Sequence, residues 1–154
     1  LALGQKKVRS AGLGGVVRLT RGDACCLPCR SGCADAVTVG FGVRNVAETT
    51  EAVREMYRVL RPGGHLAILE FGEPTMPVLR TLYLWYFRRV LPLVGRLLSR
   101  HAEAYAYLPA SVSAFLGSAT FAELLRASGF SDVRITRLTL GIVCLYVARK
   151  PTRV

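Results

Sequence analysis

No stretch of this sequence is apolar enough to cross a bilayer. A spanning helix needs roughly 20 mostly apolar residues, and the most apolar stretch, Pro77 to Leu98, is broken by Arg80, Arg88, Arg89, Pro92 and Arg96. The opening LALGQKKVRS has no sustained apolar core and no cleavage pattern, so no secretory leader is expected there. It also has no initiator Met, which points to a piece of a longer chain. Acidic residues are scarce: 10 Asp and Glu stand against 21 Lys and Arg, almost all of them Arg, for a formal net charge of +11. That field favours anionic partners, either nucleic acid or an anionic membrane surface, although a solvated arginine-rich surface has the same composition. A second set of metal ligands is missing too. Of 5 cysteines, Cys25, Cys26, Cys29 and Cys33 crowd together around one C-x2-C, while Cys144, His65 and His101 lie far away in sequence. A structural zinc site normally pairs two such clusters, so packing in a loop or core is favoured and no metal is expected. Thiols this close would scramble in an oxidising compartment, which points to a reduced cytoplasm.

What is present is a folding composition: 154 residues, 51% hydrophobic and 20% charged, enough for one domain with a real core. Short β-branched runs at Val16–Thr20 and Ala36–Val39 predict strands, with the loop-like CCLPCRSGC between them. Thr49 or Thr50 is placed to cap a helix in which Ala52, Val53, Met56, Tyr57 and Leu60 recur at helical spacing. Pro62-Gly63-Gly64 stops it. Leu66–Phe71 is nearly all apolar, as in a strand buried on both faces. Val78–Leu98 predicts a long helical segment bent at Pro92. Ser118 or Thr120 caps a helix closed by Gly129. Asp132–Leu138 and Gly141–Arg149 predict a closing hairpin.

Buried strands alternating with helices predict an α/β fold with a mainly parallel sheet and an antiparallel terminal hairpin. In such sheets ligands bind beyond the carboxyl ends of the strands. The informative positions are therefore the tips: Gly22 to Ala24, Gly40 to Asn45, and Glu70 to Glu73.

The run GDA…LP…DAVTVGFGVRNV…MYRVLRPGGHLAILEFGEP, followed in order by AYAYLPASV, LLRASGF and LTLGIV, resembles the ubiquinone/menaquinone biosynthesis C-methyltransferase family. That family belongs to the class I S-adenosylmethionine-dependent methyltransferases, which have a Rossmann-like fold. The resemblance runs from about Lys6 to Lys150. It implies a strand order of 3-2-1-4-5-7-6, with Val16–Thr20 as the third strand and Ala36–Val39 as the fourth. The family's D-x-G-x-G turn and the acid that holds the cofactor ribose have no counterpart here. The expectation is therefore one partial domain over residues 1–154, truncated at its N-terminus and inactive by itself. It lacks the first two strands and the glycine-rich cofactor loop, which leaves Val16–Thr20 without a neighbour.

The resemblance implies S-adenosylmethionine as cofactor, met at the adenine by Asp23 and Ala24 and at the backbone by Gly40. It implies methyl transfer to a ring carbon of a prenylated quinol, a demethylmenaquinol or a ubiquinol precursor. Arg44, Asn45 and Glu70 are the expected catalytic residues: Arg44 stabilises a phenolate and Asn45 orients it. Tyr105, Tyr107 and His101 are the expected substrate contacts. The implied partners are the quinol and a peripheral membrane surface at the inner face, with a homo-oligomer or a quinone-biosynthesis complex open and nucleic acid not expected.

Several alternatives stay open on the residues themselves. Asp23 is also an ordinary turn residue, and Arg44 and Asn45 also suit a loop-fixing pair. Glu70 also suits a carboxylate that holds a loop through backbone N–H groups. The Pro77–Leu98 segment suits a tunnel wall, a membrane-interface helix or a core helix with snorkelling arginines. Cys29 and Cys33 stand where the family usually has aromatics, and Gly40 and Gly72 where it often has Ser. The competing functions are a class I methyltransferase acting on another small molecule or on RNA, and a non-catalytic lipid-binding or scaffold module.

Overall fold

The computed structural model describes residues 1–72, 74, 76–90, 111–112 and 115–152. Its elements in chain order are α1 (Ala2–Ser10), β1 (Ala34–Gly40), a 3-10 turn (Val43–Asn45), α2 (Thr49–Val59) and β2 (Leu60–Phe71). There follow α3 (Pro77–Trp85) with a π-helical extension (Tyr86–Val90), α4 (Ser118–Ala127), β3 (Ser131–Leu138) and β4 (Val143–Arg149). The four strands make one sheet in the order β1-β2-β4-β3. This is the 4-5-7-6 portion of the implied order, with β3 and β4 as the expected hairpin, and the fold class is α/β as read from the sequence. Several expectations need correction. Only β1–β2 is parallel, because the hairpin contributes both antiparallel pairings, β2–β4 and β3–β4. Val16–Thr20 is irregular, not a strand; with no partner to complete a ladder, its backbone gains nothing from extending.

The core forms where the helices meet one sheet face. α2 buries Ala52, Val53, Met56 and Val59, and α4 buries Phe121, Ala122 and Leu125. They pack with Leu66, Ile68, Cys144, Tyr146 and Ala148 of the central strands. Along β2 the buried residues are Leu60, Gly64, Leu66, Ile68 and Glu70, while Ala67, Leu69 and Phe71 are half-buried. The strand is thus fully buried on one face only, not on both. The two-residue period puts Glu70 on the same face as Leu66 and Ile68, so its carboxylate lies at the edge of the apolar core.

α2 runs into β2 without a loop. Its N-cap is Glu48 rather than a threonine, because the Thr49 hydroxyl donates to the Val46 carbonyl instead. At the other end Lys150 Nζ donates to the Tyr57 and Leu60 carbonyls, 2.7 Å each, so a cation satisfies the helix's last acceptors. Arg61-Pro62-Gly63-Gly64 bulges out of register against β1 between Ala34 and Ala36. Gly63 has φ +81, and a Cβ on Gly64 would sit 2.9 Å from the Arg61 carbonyl and 3.0 Å from that of Asp35. Only glycines fit that bend. Gly129, at φ +98, ends α4 as its sequence position predicts, while the N-cap is Gly117 and Ser118 is the first helical residue.

The cysteine loop is held by its main chain. Arg58 grips Glu55 with two nitrogens at 2.6 and 2.8 Å and donates to the Leu27 and Cys29 carbonyls and the Ser31 hydroxyl. The Leu27 N–H donates to Glu55 at 2.7 Å. Cys26, Cys29 and Cys33 are exposed, and no three His, Cys, Asp or Glu among the described residues are grouped to hold a metal ion. Among the described residues no helix is long and apolar enough to cross a membrane.

The Arg58 guanidinium and the Leu27 N–H hold the Glu55 carboxyl at about 2, down from 4.5. A lowered carboxyl contributes stability above its unfolded value and loses it as pH falls toward the folded one. The melting-temperature gap between the protein and Glu55→Gln is therefore expected to be full at about pH 6 and to shrink steadily below 4.5. A gap that does not change with pH would show that the clamp does not need the charge.

Candidate active site

The site lies at the carboxyl ends of β1 and β2. Leaving β1, the chain passes Gly40-Phe41-Gly42 and turns through Val43–Asn45. Val43 is buried and anchors the turn in the core. The turn aims Arg44 inward and leaves Asn45 exposed. Arg44 Nη1 meets Glu70 Oε1 at 2.8 Å, with the two side chains 9% and 0% exposed. Glu70 also accepts the backbone N–H of Arg44 at 3.2 Å and of Phe71 at 2.9 Å. These are the bonds that a loop-holding carboxylate makes, and here the same carboxylate positions the arginine. Arg44 further donates to the Phe41 carbonyl and, from Nε, to Ser111 Oγ at 3.3 Å. Its guanidinium carbon lies 5.1 Å from the centre of the Phe71 ring, and Phe71 packs on Phe41 with ring centres 4.7 Å apart.

A second part opens beside it. Asp23, Ala24 and Asn45, with Arg21, Gly22, Cys25, Val46, Ala47 and Glu48, line an open cleft of about 880 Å³. The structure thus brings the expected cofactor residues Asp23 and Ala24 together with Asn45, and Asn45 is chain neighbour to Arg44. Asp23 Oδ1 accepts the Cys25 N–H at 2.9 Å, as in an Asx turn. The Ala24 N–H has no hydrogen-bond partner among the described residues. Gly40 faces open space, since a Cβ there would meet nothing within 4 Å. Tyr105, Tyr107 and His101 lie outside the described residues.

Sequence reading missed several members. Ser111 comes from 67 positions away and carries no local signal. Phe41 was legible in principle, as a large aromatic between two glycines at a strand tip. A smaller cavity of about 210 Å³ is lined by Phe71, Gly72, Phe115 and Tyr146, among others. Burial there pushes the Tyr146 hydroxyl up, with Cys144, its hydrogen-bond partner, adding to the effect. Gly72 is locked in place, because a Cβ would lie 2.8 Å from both the Gly141 carbonyl and Cys144 Sγ.

A parallel strand pair continued by an antiparallel hairpin, in the order β1-β2-β4-β3, fits the Rossmann-like S-adenosylmethionine-dependent methyltransferases. Solved structures agree on the fold. An O-methyltransferase family protein from Burkholderia thailandensis superposes with a TM-score of 0.63 at 16% identity, covering 98% of this chain and 41% of that one. A SAM-dependent methyltransferase from Aquifex aeolicus gives 0.61 at 16% identity, covering 94% and 60%. Sequence narrows this further: the model of the ubiE/COQ5 methyltransferase family matches residues 1–150, and the chain belongs to that family. The demethylmenaquinone methyltransferase of Thermus thermophilus is 43% identical over 151 residues, 98% of this chain and 67% of that one. The protein of the same name from Geobacillus kaustophilus is 40% identical over 150 residues, 97% and 64%. The chain therefore spans about two thirds of the length of these relatives.

Removing one partner of a buried ion pair leaves the other charge uncompensated, which typically costs about 3–5 kcal/mol. Glu70→Gln is expected to lower stability by about 3 kcal/mol in denaturant titrations, since the amide keeps the shape and loses the charge. The two glycines at serine positions should behave oppositely. Gly40→Ser has room and should leave the midpoint unchanged, whereas Gly72→Ser overpacks and should cost about 1–3 kcal/mol. Equal effects at the two positions would contradict the packing described.

Proposed function

We propose that this chain provides the acceptor-binding half and part of the cofactor cleft of a C-methyltransferase that methylates a ring carbon of demethylmenaquinol. The observation that carries the proposal is the 40–43% identity to demethylmenaquinone methyltransferases across both strand tips. It favours the menaquinol precursor over the ubiquinol one. S-adenosylmethionine, when bound, supplies a methyl group on a sulfonium. Of the groups that would hold it, this chain supplies the adenine end: the Asp23 carboxylate and the Ala24 N–H, with Gly40 leaving space at the strand tip.

The acceptor carbon is nucleophilic only when the neighbouring phenol is ionised or strongly hydrogen-bonded. Arg44 is suited to this task. Glu70, Ser111 and the Phe41 carbonyl hold Nη1 and Nε, while Nη2 has no hydrogen bond to any described residue. A guanidinium fixed on one side presents its remaining donors without reorganising, the condition under which charge stabilisation is strongest. Asn45, on the cleft side, orients the same oxygen. Tyr105, Tyr107 and His101 are proposed as substrate contacts.

A prenyl tail is insoluble in water, so the enzyme must work at a membrane surface. The exposed Val78, Leu82 and Trp85 at helical spacing on α3, with Arg80 among them, support peripheral attachment to a membrane surface. No observation favours an RNA acceptor or a scaffold role over this reading.

The test is complementation. The complete gene encoding this chain is expressed in a strain blocked in quinone methylation, and the quinones are identified by mass. Recovery of methylated menaquinone is expected; accumulation of the unmethylated quinone overturns the proposal. In the same gene product Arg44→Lys keeps a cation for Glu70 and loses the planar fork, so turnover should fall about a hundredfold. The S-adenosylmethionine dissociation constant should stay near wild type. Asp23→Ala should do the reverse, weakening cofactor binding several-fold, about the value of one hydrogen bond, with turnover at saturation preserved. Calorimetry and initial rates separate the two.

A further inference from the structure

Phe41 is bulky, L-chiral and in the left-handed region, with φ +54. That conformation is costly for such a residue, and a glycine would adopt it freely. Glycines stand on both sides of it, yet position 41 carries the largest side chain of the turn. Two bonds hold the backbone there: the Phe41 N–H donates to the Leu69 carbonyl at 2.8 Å, and its own carbonyl accepts from Arg44. Neither bond involves the ring. The ring is also not in the core, since Phe41 is 38% exposed and its ring contact is Phe71. A strained position kept for a side chain that the core does not use is a mark of a ligand contact.

The surroundings indicate what kind of ligand. Phe41 and Phe71 form a tilted aromatic pair at the tips of adjacent strands, with the Arg44 guanidinium against Phe71. Phe71 also lines the 210 Å³ cavity. Gly40 leaves the space next to Phe41 open. An aromatic face beside a cation suits a flat, electron-rich ring bearing an oxygen, with the ring on the apolar side and the oxygen toward the guanidinium.

We propose that Phe41 is the residue against which the acceptor ring stacks, and that it sets specificity for a flat aromatic ring. This rests on the function proposed above and deepens it. Arg44 acts on the oxygen, and Phe41 fixes the plane of the ring so that one carbon faces the incoming methyl group.

The experiment uses the product of the complete gene and 1-naphthol as a stable phenolic probe, its binding followed by fluorescence, with thermal melts in parallel. Phe41→Gly relieves the backbone and removes the ring. It should melt at or above the wild-type temperature and bind 1-naphthol roughly three- to tenfold more weakly, the value of one aromatic pair. S-adenosylmethionine affinity should be unchanged. Phe41→Tyr should bind 1-naphthol like wild type, and Phe41→Leu, apolar but not aromatic, should bind it as weakly as Phe41→Gly. A lower melting temperature with unchanged naphthol affinity in Phe41→Gly would make the ring purely structural and overturn the assignment. Wild-type affinity in Phe41→Leu would overturn it as well. If the wild-type protein fails to bind 1-naphthol at all, the acceptor reading of the whole site falls with it; if wild type binds and Phe41→Gly binds equally, only the role of Phe41 falls.

Discussion

The buried pair between Arg44 and Glu70 is the constraint that organises the carboxyl edge of this sheet. Parallel strands end without a hairpin to join them, so the tips of β1 and β2 must be tied by side chains. Glu70 ties them by accepting two backbone N–H groups and one guanidinium donor while fully buried. Taking two charges out of water is expensive unless their remaining donors and acceptors are satisfied. That requirement explains the rest of the turn. The Phe41 carbonyl must point at the guanidinium, which accompanies its unusual backbone angle, and Ser111 is drawn in from a distant part of the chain. Turning Arg44 inward leaves its neighbour Asn45 facing the cleft, so one turn serves both halves of the site.

Much of this was legible in the residues. The apolar run Leu66–Phe71 and the spacing of Ala52, Val53 and Met56 place a central strand and the helix that covers it, because burial imposes periods of two and 3.6 residues on any sequence. The strand tips marked the candidate site, since α/β sheets bind ligands there. The pairing of Arg44 with Glu70 was not legible, because the two residues are 26 positions apart and meet only through the register of β1 against β2. The strand expected at Val16–Thr20 shows the complementary limit. A β-branched run is a strand only where another strand accepts its hydrogen bonds. Thr49 has the right chemistry for a cap, but its hydroxyl found a nearer carbonyl.

The cysteine loop illustrates how fold and sequence can be decoupled. Glu55 and Arg58 hold residues 27–31 mostly by their peptide groups, so the loop keeps its path whatever side chains it carries. The path of the chain at Cys29 is therefore set by main-chain bonds rather than by its thiol. The clamp also matters to the cleft, because the segment it fixes begins three residues after Ala24.

The strand order has a consequence for how the chain reaches this state. β4 is the last of the strands in sequence, yet it lies between β2 and β3. Residues 65–71 pair with 143–149, so the middle of the sheet is zipped by contacts between segments far apart in sequence, the kind that form slowly. During synthesis β1, α2 and β2 emerge together and are free to assemble early. β2 meanwhile keeps one edge open until β4 has left the ribosome. For that interval its apolar residues and unpaired peptide groups offer a template for stray strands. Shortening that interval, by faster completion of the hairpin or by a chaperone that shields the edge, is therefore expected to raise the yield of folded protein.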